Sequence, residues 1–262
     1  MFHESTRLLA CSLLVVTLPG FVLAQSHPES NSGAEALAAQ SIRALTHGSV
    51  ISDVTLIANV SWIAGPAVES GTGVLLAKGS SESRVDLALD TGGNRIEIRN
   101  SVNGPAGKWE NPDRKSGNYA AHNCWTDAVW FFPALSSLGN IADSRTSFSY
   151  IGDETWNGLP TMHLRVYQVR KGTTEAQRLS SMEFYLDPAS LLVLGIAYKT
   201  HPDNNMNVDL LSEVRFADYH LVNGIQVPFY IQRLQGGAVL MDIKVTKASF
   251  NAGLSDDTFQ IR

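Results

Sequence analysis

The sequence predicts an α+β fold: one large curved antiparallel sheet with helices covering its concave face. Three observations carry this reading. The C-terminal third is a series of alternating apolar and polar runs joined by short turns. Similar runs fill the first half, behind a single helical stretch. Between them lies residues 121–138, apolar on every side and unlike a strand. A segment of that kind must be enclosed, or must meet something apolar. No internal repeat of 20–50 residues is visible, which argues against a solenoid or propeller.

The chain opens MFHESTRLLACSLLVVTLPGFVLAQS. Arg7 is the last charge before an apolar stretch over 8–24, and Val22-Leu23-Ala24 offers a compact end before Gln25. This is the pattern of a secretory signal peptide, residues 1–24, cut after Ala24. The stretch is short for a span of about 20 residues and Pro19-Gly20 interrupts it, so no stable transmembrane span is expected after cleavage. Export to the periplasm or beyond follows. Cleavage removes Cys11 and leaves Cys124 alone, so no disulfide framework is expected. The net charge is -5, with no basic tract. Nucleic acid and anionic membrane surfaces are therefore poor partners.

Residues 25–33 are polar and read as a flexible mature N-terminus. Residues 34–46 read as a helix, with Ser32 and Glu35 at capping-box spacing and Gly48 beyond its end. The remainder, 34–262, is expected to be a single domain. Strands are predicted at 54–63, 71–78, 84–89 and 94–100, punctuated by Gly92-Gly93 and Asn103-Gly104. In the last of these only Ile96 and Ile98 are apolar, which predicts a wet opposite face. Residues 109–117, centred on Asn111-Pro112-Asp113, read as a loop.

Within 121–138, Cys124, Ala128, Phe131, Leu135 and Leu138 recur at helical spacing. Trp125, Val129 and Phe132 form a second stripe and Trp130 a third. Pro133 cannot sit deep in one continuous helix, so two short helices broken near Phe132-Pro133 are expected. Strands return at 147–152 and 162–171, turned at Asn157-Gly158. Met182, Phe184 and Leu186 begin the C-terminal series. Val208 to Phe216, then Val227, Phe229 and Ile231, then Met241, Ile243 and Val245 continue it. Asn223-Gly224 between alternating runs is a strong hairpin signal. Tyr167, Tyr185, Tyr198 and Tyr230 are expected on the outer face.

The closing pattern carries a resemblance. Asp218-Tyr219, then Asn223-Gly224-Ile225-Gln226-Val227-Pro228-Phe229, a hairpin, and a close running Asn251 to Phe259 resemble the lipoprotein-carrier (LolA/LolB-like) superfamily. The likeness covers chiefly 182–261. It implies an unclosed half-barrel whose concave side holds an acyl chain or another apolar ligand beneath a helical lid. Trp125, Val129, Trp130, Phe131, Phe132 and Leu135 would then be the lid and pocket residues. The chain departs from the family where a first-half strand should carry an Arg that ties the lid. Residues 78–89 offer Arg84-Val85-Asp86 with no aromatic partner.

Catalytic chemistry finds little support. His122 and Cys124 are adjacent, but side chains at i and i+2 of a helix do not face each other. Cys124 falls on the apolar stripe and reads as a buried, inert thiol. His163 and His201 lack metal-ligand spacing, and no P-loop, dinucleotide or nucleophile-elbow motif is present. No cofactor or metal is expected. The reading is a non-catalytic periplasmic binder or carrier of an apolar small molecule or lipidated protein, with an envelope protein as a possible partner. The alternatives are a structural or regulatory envelope domain with a filled core and, behind it, a hydrolase.

Overall fold

The computed structural model describes residues 31–90, 93–169 and 174–261. The expected leader at 1–24, Gly92 of the Gly92-Gly93 turn and Lys171 at the end of a predicted strand lie outside these residues. Helix α1 (Asn31–Thr46) already includes Asn31, so Ser32 lies in its first turn rather than ahead of it. The strands are β1 (Asp53–Ala64), β2 (Ala67–Lys78), β3 (Glu82–Leu89), β4 (Gly93–Asn100), β5 (Ala106–Glu110) and β6 (Ser116–Asn118), then β7 (Thr146–Trp156), β8 (Leu159–Gln168), β9 (Met182–Leu186), β10 (Val193–Thr200), β11 (Leu210–Val222), β12 (Ile225–Gln235) and β13 (Ala238–Phe250). A short helix α2 (Thr174–Ser180) joins β8 to β9.

All described strands form one sheet in the order β6-β5-β4-β3-β2-β1-β13-β12-β11-β10-β9-β8-β7. Every neighbouring pair is antiparallel, as in β1 with β2 and β1 with β13. The chain therefore starts at the centre, meanders out to β6, jumps to the opposite edge at β7, and meanders back until β13 closes on β1. The two edges do not pair, so the sheet is a half-barrel rather than a closed barrel. This topology gives the apolar segment its place. The connection between β6 and β7 must travel from one edge of the sheet to the other, and the short route lies across the concave face.

The hairpin signals hold in detail. Asn157 and Gly158 have φ of 49° and 82°, and Asn223 and Gly224 have 50° and 82°. Two consecutive positive φ angles define the turn whose twist matches the flanking strands. The inner face of the sheet, α1 and the 121–139 crossover share one hydrophobic core, which includes Leu37, Leu45, Leu56, Leu75, Phe148, Phe184 and Ile243. The convex side of β3 and β4 is covered by the C-terminal turn Asp256–Phe259, whose Phe259 is buried. Arg84 donates to the Thr258 carbonyl there.

Four expectations need correction. The crossover holds no α-helix; it has three 3-10 turns, Ala121–Cys124, Pro133–Leu135 and Ser137–Gly139. Phe132 is extended (φ -137°, ψ 94°) because the residue before a proline is driven out of the helical region. The 109–117 stretch is not a loop throughout, since β5 and β6 pair as Trp109 with Gly117 and Lys108 with Asn118. Tyr198 pairs with inward-facing Met182 and is buried in the core, not on the outer face. The predicted wet face of β4 is also inside: Arg95, Glu97 and Arg99 point into the concavity, in register with Leu87, Val85 and Ser83. Charge on a strand need not mark a solvated face: Glu97 and Arg99 pair with each other.

Candidate functional site

The crossover places its large side chains under the sheet. Val129, Phe131 and Phe132 are fully shielded from solvent and Trp130 is 1% exposed. Leu135 is buried beside them. Trp130 meets Phe131 edge to face at 5.5 Å between ring centres, and Phe132 lies 6.0 Å from Phe250 of β13. Trp125 is set apart from this cluster; it is half-buried and lines a separate polar cavity. The sequence-predicted lid residues thus form a packed plug, with Trp125 at its margin.

A charged cluster missed by the sequence reading sits beneath the plug. Glu97 on β4 accepts from Arg99 Nε at 3.0 Å and from Arg233 Nη1 of β12 at 2.9 Å. Tyr119 also hydrogen-bonds Glu97. Burial by itself would push the Glu97 carboxyl up, but the two guanidinium groups outweigh it and hold it down at about 2. Arg99 stacks 4.9 Å over Tyr119, and Arg233 lies 4.6 Å under the Trp130 ring. A cation against an indole face is favourable, more so when both are desolvated. Trp130 is therefore held from below by a charge as well as by apolar contact.

Polar bonds fasten the crossover to the sheet at separate points. Arg99 Nη1 donates to the Asn123 carbonyl at 2.8 Å. The Asn123 side chain pairs with the backbone of His201, donating to its carbonyl at 2.7 Å and accepting from its N–H at 2.8 Å. His122 Nε2 donates to the Pro202 carbonyl at 3.2 Å. Ser83 Oγ donates to the Ala128 carbonyl at 2.6 Å. An arginine does tie the crossover, but it is Arg99 of β4. Arg84 instead pairs with Asp86 on the outer face. The available sequence signal was the alternation Arg95-Ile96-Glu97-Ile98-Arg99, whose polar positions are spaced to share one face.

Two cavities flank the plug. One of about 290 Å³ is mainly apolar and is bounded by Trp62, Val85, Leu87, Tyr119 and Met241, with Arg95 and Glu97 in its wall. The other, about 390 Å³, is polar and lies between the β2–β3 and β4–β5 turns, the crossover and β8. Asp127 opens onto it, bonded by the Ser137 N–H at 2.9 Å and hydroxyl at 3.0 Å. Burial raises its carboxyl to about 6 despite those two bonds.

Cys124 is buried, and burial raises its thiol above the ordinary value. Its sulfur contacts the Ala120 carbonyl, while His122 is engaged with Pro202. His163 lies on the outer face between Glu154 and Glu183, 2.6 Å from each. Among the described residues no group of three His, Cys, Asp or Glu side chains is placed to hold a metal.

The unclosed antiparallel half-barrel is a LolA-like fold. The chain is similar in structure to a DUF1329 family protein from Desulfovibrio piger (TM-score 0.56, 13% identity, 89% of this chain and 98% of that one). It is equally similar to a putative outer membrane lipoprotein-sorting protein domain from Vibrio parahaemolyticus (0.55, 14%, 87% and 97%). A LolA superfamily protein from Nitrosomonas europaea matches at 0.54, with 10% identity over 87% and 97%. By sequence, no family model and no curated protein matches. At these identities the likeness is one of fold.

Proposed function

We propose that this protein is an exported, non-catalytic binder or carrier of an apolar ligand, such as a lipid, an acyl chain or a lipidated peptide. The observation that carries the reading is the crossover itself. It fills the concavity with Val129, Trp130, Phe131, Phe132 and Leu135, yet it forms no α-helix and pairs with no strand. A handful of latches around Asn123, Ala128 and Trp130 fasten it instead. If these release, the aromatic plug can withdraw and an apolar guest can take its place on the sheet. Each methylene of a guest chain buried there contributes about 0.8 kcal/mol. The neighbour described as a lipoprotein-sorting domain is in keeping with this. On this proposal the protein resides in the envelope after cleavage at Ala24. No helix among the described residues is long and apolar enough to cross a membrane.

The test is native mass spectrometry of the mature protein purified from its own cell envelope. Bound lipid, displaced by acyl-chain competitors, is the expected result. A second reading rests on the completeness of the plug: a domain whose filled interior is permanent and whose role is to contact an envelope protein. Recovery of bare protein only, no acyl-chain uptake in vitro, and a stable partner from membrane extracts would favour that reading instead.

A further inference from the structure

Three arginines, Arg95, Arg99 and Arg233, project from the inner face of the sheet around Glu97. Arg99 and Arg233 share Glu97. Arg95 makes no ion pair among the described residues. Its Nη1 donates to the Asn111 side chain at 2.9 Å, and its guanidinium lies 4.6 Å over the Trp62 ring. Arg95 Nε and Trp62 Nε1 are both buried without a hydrogen-bond partner. Native structures leave few such donors unmade, and each is costly.

Both side chains line the 290 Å³ apolar cavity, with Val85, Leu87 and Met241 supplying its oily wall. Glu97 in the same wall is already neutralised by two arginines. Glu110 stands at the rim, in register with Ile96 of the neighbouring strand. The cavity therefore joins an apolar surface to a cation that lacks a counter-ion. Its volume sits at the lower end of small-ligand sites, which run from about 300 to 1,000 Å³. One chain fits that space better than a lipid with several.

We infer that this cavity seats the anionic head of a single-chain amphiphile, with a carboxylate or phosphate oxygen against Arg95 and the chain along Val85, Leu87 and Met241. The inference rests on the apolar-binder reading and adds the ligand's charge and the end that enters here. A hydrogen bond to a charged group contributes about 1.5–3 kcal/mol, which corresponds to about tenfold or more in affinity.

The test uses the mature protein with three probes of equal chain length below their micellar concentrations: dodecanoate, dodecyl phosphate and dodecanol. Affinities come from calorimetry, and the site from the Trp62 indole N–H resonance. Both anions should bind about tenfold or more tightly than the alcohol and shift the Trp62 resonance. Arg95→Met, which keeps the aliphatic cover over Trp62, should abolish that preference, and Arg95→Lys should retain part of it. A difference between dodecanoate and dodecyl phosphate tells which oxyanion the site prefers. Equal binding of alcohol and anions would overturn the inference and leave the apolar-binder reading standing. So would a preference that survives Arg95→Met, or an unmoved Trp62 resonance. If no probe binds, the inference fails, and what co-purifies with the protein decides the broader reading separately.

Discussion

Glu97 of β4 and Arg233 of β12 meet at 2.9 Å across the concavity, although four strands lie between them in the sheet. Such a pair can form only if the sheet is strongly curved, so it works as a clasp on that curvature. Breaking a buried pair by removing one partner is expensive because the other charge stays buried and alone. Glu97→Gln strands both Arg99 and Arg233, and should lower stability by about 3–5 kcal/mol in urea unfolding. Arg233→Met should lower it by less, because Arg99 still neutralises Glu97. Equal losses from the two variants would show that Arg99 contributes nothing to the cluster.

Two carboxylates give the protein opposite pH dependences. Glu97 sits at about 2, below its ordinary value of 4.5. Its contribution is present above 4.5 and is lost as pH falls from there through 2. Asp127 sits at about 6, above its ordinary value of 3.8. A raised carboxyl contributes fully below 3.8, and the contribution is lost as pH rises through 6. Asp127→Asn should therefore flatten the fall in stability between about pH 4 and pH 7, and Glu97→Gln the fall at lower pH. Unfolding free energies measured across pH for the wild type and both variants would separate the two windows. An unchanged slope in Asp127→Asn would show that this carboxyl is ionised normally in the folded protein.

Much of the sheet was legible in the sequence, because period-two alternation and Asn-Gly turns are local signals. The half-barrel reading depended on noticing that one segment was too apolar for water. Where the reading failed, the deciding information was non-local. Glu97 and Arg99 look solvated along the chain, since nothing nearby announces Arg233, 134 residues further on from Arg99. Asn123 falls in a stretch that reads as helix, and nothing local shows that His201 is brought beside it. The 121–138 stripes mimic helices because an all-round apolar segment satisfies every helical spacing at once. Strands β5 and β6 are too short and polar for a periodicity to show.

Asn123 ties the crossover to two neighbours at once. Its amide completes both backbone groups of His201, and its own carbonyl receives Arg99. Asn123→Ala would leave the buried His201 N–H without a partner, at about 1–3 kcal/mol. The loss should be local. Hydrogen exchange of amides in 121–139 should quicken, while β1, β12 and β13 keep their protection. An equal loss of protection throughout would mean that the crossover opens only with the whole domain, which would remove the basis for a lid that moves.

The outer face provides a control that leaves the crossover untouched. Trp156, at the β7–β8 hairpin, stacks on Tyr185 at 4.5 Å between ring centres, and Tyr185 stacks on His163 at 4.7 Å. Gly195 of β10 leaves the slot that receives the indole: a Cβ there would lie 2.1 Å from a Trp156 ring carbon and 2.8 Å from the Val214 carbonyl oxygen. Gly195→Ala must therefore displace the ring, an overpacking that costs about 1–3 kcal/mol. Placing the same substitution in a Trp156→Ala background should remove most of that penalty, with the Val214 carbonyl accounting for the remainder. Thermal or urea unfolding of the four proteins in this cycle measures the coupling. Acyl-chain binding should be the same in all four, because Gly195 and Trp156 lie on the convex side of the sheet and the plug on the concave side. A binding defect in Gly195→Ala would mean that the two faces are mechanically linked through β9 and β10.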